Sequence, residues 1–537
     1  MARRRDPLQI DLTDGDVDGG GLDGGGSVTQ DGPTTGAPAE ATPGWFATRV
    51  AGPLGRRWRG LSRRGQVGLV GGVAVTAVLV AAGVALVDAR TEAAHAAHMA
   101  SMPGGVADLS APVEETWRVE SDAGIFAVLP GGVVATVDGR DVIGIDVADG
   151  SELWRTALGE AVDCGPRPNR PAEFLAPVDR LTCLYGADER TAAVLSADGT
   201  VLGERAVGRG SRPQRQVTDG LPEIGPAADG AVYVVEHRRE SLTVQGTQHA
   251  ADALEARRAE GTWDDPVLRL EDALTGEVRG EATAELRTAH DLARCSAELG
   301  SEGETEWLLE TYVWASTSVV QLHLCGVTVT VAPDGSPGGF SGRSVDGEQY
   351  EGTDNGTRVM TVDGAERDLP GLLLDPLAVD DVDGPWLVAG DALQAYDEGG
   401  EELWVAGVLV PQVAVRAGGV AVVQNHGDGT FDAVDLTTGD VRWSVESEAD
   451  HVGYSGWLSG AATDGEVALL ALGEGTGLEL VALRLDDGTE LWRSSHESLA
   501  GGVRVVDGHL LGVHSEYVVV DDVETWDATL VGLGSSS

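Results

Sequence analysis

Apolar residues in this chain come in short runs, and most of the runs are separated by Asp, Gly and Ser. VVATVD is followed by VIGIDVADG, and VAVVQN by FDAVDLTTG, each a strand-length stretch closed by turn residues. Two places depart from this rhythm. Val67 to Val87 is an uncharged run (VGLVGGVAVTAVLVAAGVALV). At about 1.5 Å per residue it matches the ~30 Å of bilayer hydrocarbon, so it is read as one transmembrane helix within 65–87. Residues 88–102 (DARTEAAHAAHMASM) are Ala-rich and read as a helical stalk that ends at Pro103, Gly104 and Gly105.

From about residue 111 a unit recurs: apolar strand, Asp/Gly turn, second strand carrying tryptophan. IDVADGSELW ends at Trp154, AYDEGGEELW at Trp404, VDLTTGDVRW at Trp443 and LRLDDGTELW at Trp492. In each the tryptophan follows the turn glycine (Gly150, Gly400, Gly439, Gly488) by four residues. Copies around Gly199, Gly276, Gly335 and Gly364 keep the turn and lose the tryptophan. Gly supplies the positive φ of such a turn and Asp accepts nearby amide bonds. One hairpin cannot bury its own apolar face, so the units must stack or close into a ring. The units resemble the pyrroloquinoline-quinone-type β-propeller repeat over most of residues 113–526. The expected fold is all-β, a propeller of about eight four-stranded blades, with seven as the alternative. Gly335 and Gly364 are counted as one blade. HLLGVHSEYVVVDD forms the last blade, closed by VEETWRVE around Trp117.

Between VYVVEH and VLRL lies an insertion in which QHAADALEARRAEG reads as a short helix, apolar at Ala250, Ala253 and Leu254. It is a candidate partner-binding element. The expected organisation is a disordered cytoplasmic tail (1–64), the membrane helix (65–87), a stalk (88–110), the propeller (111–530) and a short tail (531–537).

Charge sets orientation and partners. The formal charge of −50 falls almost wholly after residue 65, and the chain has no lysine. Arg49, Arg56, Arg57, Arg59, Arg63 and Arg64 precede the apolar run and Asp88 follows it, which places the N-terminus in the cytoplasm and the propeller outside. So acidic a surface repels phosphate backbones, which excludes nucleic acid as a partner. Cys164, Cys183, Cys295 and Cys325 all follow the membrane segment, as expected of two disulfides, Cys164–Cys183 and Cys295–Cys325.

No residues assemble into recognisable chemistry. Asp14, Asp16 and Asp18 imitate a calcium loop, but its twelfth position is Gly25. His95 and His98 read as solvated, Asp380/Asp381 and Asp521/Asp522 as turns, and Asn355-Gly356-Thr357 as a turn rather than a glycosylation site. The resemblance implies a quinone, a catalytic Asp, calcium ligands and two adjacent cysteines; no cysteines here are adjacent, and no Asp matches the catalytic one. No cofactor, metal or catalytic residue is therefore assigned. Related repeats resemble outer-membrane assembly lipoproteins, whose propeller binds proteins. The reading is a single-pass, extracytoplasmic, non-catalytic platform for a protein or cell-envelope ligand. A ligand- or cation-binding sensor and a quinone-dependent dehydrogenase are the alternatives.

Overall fold

A computed structural model describes residues 86–535, except residue 88 and short stretches of which 167–176, 210–221, 287–295 and 447–457 are the longest. The expected N-terminal tail, and all but the last two residues of the expected membrane segment, lie outside the described residues. No helix among the described residues is long and apolar enough to cross a membrane.

The described residues form a β-propeller. Nine sheets, antiparallel except for the short parallel strand Ala378–Val379 at the inner edge of blade 7, follow one another as blades, numbered here by residue: blade 1 (127–157), blade 2 (163–208), blade 3 (223–283), blade 4 (311–331), blade 5 (342–369), blade 6 (372–406), blade 7 (413–446), blade 8 (458–496) and blade 9. Blade 9 joins the two ends of the chain. Val503–Val506, His509–Val520 and Val523–Ser535 supply three strands, and Val113–Ser121 is the outermost. Residues 531–535, expected as a tail, belong to this sheet, because Val531 and Leu533 pair with Arg118 and Glu115. The turns at Gly335 and Gly364, counted as one blade on their spacing, belong to two sheets. The first has three strands among the described residues and the second four. Their tryptophan positions are empty, and without that marker a short spacing cannot be told from a short blade.

Apolar side chains fill the spaces between sheets, as in any face-to-face sheet packing. Leu129 and Ala135 of blade 1 share a cluster with Leu181 and Leu195 of blade 2. Val422 and Phe431 of blade 7 meet Leu470 and Leu483 of blade 8, and Leu469 and Leu480 of blade 8 meet Val505 and Leu533 of blade 9. Blade 9 in turn packs Leu511 and Leu530 on Val134 and Ile143 of blade 1.

A second contact joins blades at their rim. The outer strands of blades 1, 2, 3, 6, 7, 8 and 9 each carry a bulge one residue before the tryptophan position: Ile145 and Gly144 face Glu152 and Trp154, leaving Leu153 over, and Ala433 faces Trp443 with Arg442 left over. A bulge turns the next side chain, here onto the neighbouring blade. It also explains why Leu153 and Leu403 are exposed. The ring of Trp117 lies on Gly150, Trp154 on Gly199, Trp404 on Gly439 and Trp443 on Gly488, so close that a Cβ on any of these glycines would sit within 2.8 Å of the indole. These glycines have φ between 72° and 77°. The small residues Gly144, Ala395, Ala433 and Ala482 lie across the strand from the tryptophans and leave room for them.

Turn length decides whether the indole N–H is used. Where the glycine amide donates to the residue four back, as Gly439 does to Asp435 and Gly488 to Arg484, the carbonyl after that residue stays free. Trp117 donates to Val147, Trp404 to Leu436 and Trp443 to Leu485 in this way. In blade 3, where Gly203 stands at the tryptophan position of the preceding blade, Arg205 Nε takes the equivalent carbonyl of Ala273. The turn at Gly199 is one residue shorter, and its glycine amide occupies the carbonyl of Ser196. The buried Trp154 N–H finds no acceptor among the described residues.

This yields a stability test. Trp443→Phe loses an indole bond and leaves the Leu485 carbonyl unpaired, whereas Trp154→Phe removes a donor that had no partner. Trp443→Phe is expected to destabilise by about 1–3 kcal/mol more than Trp154→Phe, read from denaturant midpoints of the two variants.

Candidate interaction faces

In an antiparallel blade the turns joining first to second and third to fourth strands share one face. The loops joining second to third, and one blade to the next, share the other. The helix α1 (residues 89–101) sits on the first face. His95 and His98, expected as solvated stalk residues, bind it there. His95 Nε2 lies 2.8 Å from the Asp464 carbonyl of blade 8, and His98 Nε2 2.8 Å from the Asp380 carbonyl between the first two strands of blade 6. Met99 is 1% exposed. Gly104 packs on Ala378, and Ala100 on Gly508 in blade 9.

The expected stalk is thus part of the propeller. Its last residues also repair a gap peculiar to blade 9. The third and fourth strands of that blade come from opposite ends of the chain, so no turn joins them and no turn carbonyl awaits Trp492. The carbonyl of Leu109 takes its place, 2.7 Å from Trp492 Nε1, and the Leu109 amide is held by Asp464. No repeat signal marks Leu109, because it stands in for a turn rather than copying one.

The opposite face carries the additions. The insertion after blade 3's second strand contains helix α2 (Gly246–Ala259), shifted two residues from the expected one. Leu254 is buried in a cluster with Tyr233, Trp263 and Leu286, and Ala253 packs against it. The side chain of Ala250 lies outside the described residues. Arg258 pairs with Asp265 and donates to the Leu286 carbonyl at 2.8 Å. Strand Glu240–Val244, just before α2, pairs with Thr305–Leu309 from the link between blades 3 and 4, and that strand pairs with Ser296–Leu299. Two insertions far apart in sequence therefore share one sheet, a pairing no local pattern announces.

Cys164 and Cys183 are joined across the first two strands of blade 2. Cys325 is disulfide-bonded; its expected partner Cys295 lies outside the described residues. The glycines and tryptophans of the repeat, including Gly400 and Trp492, serve blade packing as above. Asp380 and Asp381 cap turns, accepting the amides of Gly418 and Asp383. Asn355 and the pair Asp521/Asp522 lie outside the described residues.

The described residues do not fit a quinone site of the kind the repeat resemblance implies. The Cys164–Cys183 bridge spans two strands rather than adjacent residues. Among the described residues no three His, Cys, Asp or Glu side chains cluster to hold a metal. The inner-strand cation Arg416 is committed to the carbonyls of Asp381 and Val382. A cavity of about 180 Å³ between α1 and the turns at Gly132 and Asp507 falls below the size of ordinary small-molecule sites.

The family profile for the outer membrane protein assembly factor BamB matches residues 103–240 and 353–520. The chain belongs to the BamB family. The unmatched middle, 241–352, holds α2, the added sheet and blade 4. No curated protein matches the sequence. Among solved structures, BamB from Moraxella catarrhalis is 13% identical, with a TM-score of 0.33 over 78% of this chain and 97% of that one. The quinohemoprotein alcohol dehydrogenase ADHIIG from Pseudomonas putida HK5 is 13% identical, with a TM-score of 0.33 over 79% and 77%. Apo AztD from Citrobacter koseri is 11% identical, with a TM-score of 0.28 over 75% and 98%.

Buried ionisable groups serve the frame. Burial opposes the charge of Asp272, but the Arg279 guanidinium and the amides of Thr275 and Leu274 hold its carboxyl down to about 2. Burial pushes Glu223, bonded only weakly by the Tyr233 hydroxyl at 3.3 Å, up to about 7. Below pH 4.5 this carboxyl is protonated in folded and unfolded chains alike. Between 4.5 and 7 only the folded chain keeps the proton, so stability falls as pH rises, by roughly 3 kcal/mol in all. Glu223→Gln is expected to leave the melting temperature unchanged near pH 4.5 and to raise it above pH 7. Equal shifts at both pH values would refute this.

Proposed function

We propose that the chain is a membrane-anchored, extracytoplasmic platform that binds other proteins through the propeller face opposite α1. Membership of the BamB family supports a protein-binding role. The observation that carries the reading is the position of α1. It begins at the end of the apolar run and is seated on one face, while α2, the added sheet and the longest blade hairpin belong to the other. The α1 face is the side on which the chain enters the propeller, which leaves the decorated face for partners. The chain's own residues supply position and surface, and no reaction is assigned to them. Arginines before the apolar run and the disulfide after it agree with an outward propeller.

Two measurements test this. In intact cells a membrane-impermeant maleimide is expected to label Ser151→Cys, and to label Ser27→Cys only after permeabilisation; the reverse pattern would reverse the topology. A photo-crosslinking residue at Asp252 on α2 is expected to give protein adducts, and one at Asp149 on the α1 face is not. Adducts from Asp149 alone would place the partner on the α1 face.

A further inference from the structure

Blade 6 departs from its relatives along its outer strand. Around the tryptophan, blades 1 and 8 read Glu-Leu-Trp-Arg (152–155 and 490–493) and blade 9 reads Glu-Thr-Trp-Arg (115–118). The bulge between them brings the glutamate and the arginine of each onto one face, where they pair. Glu152 meets Arg155 at 2.7 Å, Glu490 meets Arg493 at 2.8 Å and Glu115 meets Arg118 at 2.6 Å. Blade 6 reads Glu-Leu-Trp-Val (402–405), so Val405 stands where the arginine would. Among the described residues Glu402 has no cationic partner. It faces the Tyr396 hydroxyl, whose ionisation is opposed by burial and by this carboxylate.

The exchange leaves an uncharged run from Leu403 to Val410, all of it described. Trp404, Ala406, Val408 and Val410 are buried in the cluster shared with blade 7. The alternate positions lie open: Leu403 and Val405 are each 51% exposed and Leu409 52%, and a Cβ on Gly407 would meet nothing within 4 Å. A strand apolar on both faces is the pattern of one covered on both, and here one cover is absent among the described residues. The Leu393 amide, bonded to the Val408 carbonyl, carries the pairing on to that residue. Glu402–Ala406 is the edge strand of its sheet, and the outward amides and carbonyls of an edge are a template for another strand.

The missing arginine tells what would lie there. A cover of this strip has to bring a cation to Glu402 and apolar side chains to Val405 and Leu409. A second copy of this chain is the wrong occupant. Three half-exposed aliphatic side chains fall far short of the roughly 800 Å² per partner of a stable dimer. Glu398, Glu401 and Glu402, exposed at one end of the strip, would also meet another chain of formal charge −50.

We infer that the outer strand of blade 6 takes an extended segment of a partner protein as an added β-strand, apolar at alternate positions and carrying an arginine or lysine against Glu402. This rests on the interaction reading above and names the chemistry of the partner.

The test uses the full chain in detergent micelles. The probes are the fluorescent peptide Val-Thr-Val-Thr-Val-Thr-Arg and its reverse, one for each strand direction. The controls carry glutamate for arginine, or methyl groups on either alternate set of amides. One arginine peptide is expected to bind about tenfold more tightly than its glutamate control, attraction at Glu402 being set against repulsion. Methylating one of the two amide sets is expected to abolish its binding. Val405→Arg rebuilds the pair that blades 1, 8 and 9 already hold, and is expected to keep the melting temperature while losing the peptide. Glu402→Gln is expected to remove the preference for arginine over glutamate. Equal binding of the arginine and glutamate peptides, binding untouched by methylation or by Val405→Arg, or no binding would each overturn the proposal. A doubling of protein mass that Val405→Arg reverses would overturn it in favour of self-pairing. Adducts at Asp252 without peptide binding would leave the platform standing and remove only the added strand.

Discussion

The contact on which this architecture depends is an indole ring laid on a glycine of the next blade. Sheet faces packed through alanine, valine and leucine could slide or splay, because such packing is not directional. The ring on the turn fixes blade against blade at the rim, and the indole N–H, where a carbonyl awaits it, fixes the angle. The bulge before it, the small residue across the strand and the positive φ of the turn glycine are all conditions for that one contact. Blade 3 shows that the carbonyl matters as well as the ring, since Arg205 reaches the same acceptor from elsewhere on its strand.

Much of this was written plainly in the chain. The Asp/Gly turns and the tryptophans four residues beyond them announced the blades, and Trp117 announced closure. The middle was less legible because Gly203 and Gly280 stand at tryptophan positions. With the marker gone, the strands of blades 4 and 5 read as one unit. The added sheet was not legible either: its strands become partners only through tertiary pairing across Glu240–Val244 and Thr305–Leu309. Helix α2 was visible in outline, since Leu254 and Ala253 follow a helical spacing, but what Leu254 packs against was not. His95 and His98 are exposed, as expected, but their docking was not legible for a related reason. Their bonds go to backbone carbonyls of distant turns, and no sequence pattern foretells a free carbonyl.

The interaction reading follows from distribution rather than from any single group. Carboxylates and arginines that look suggestive in the sequence are occupied as caps and pairs: Asp380 holds an amide of blade 7, and Asp272 holds Arg279. What remains uncommitted is surface, and the additions to it lie on the face turned away from α1. A propeller suits such use because its loops come from many blades and can vary while the inter-blade contacts stay fixed.

The pairing of the first strand with the last has a consequence for how the protein is made. Thr116 and Gly532, neighbours in blade 9, are 416 residues apart in the chain. At typical synthesis rates of 5–20 residues per second, the first strand waits roughly 20–80 s for its partner to emerge. Leu109 likewise cannot receive Trp492 until blade 8 exists. The ring therefore stays open throughout elongation, and only the arrival of the C-terminal residues can shut it.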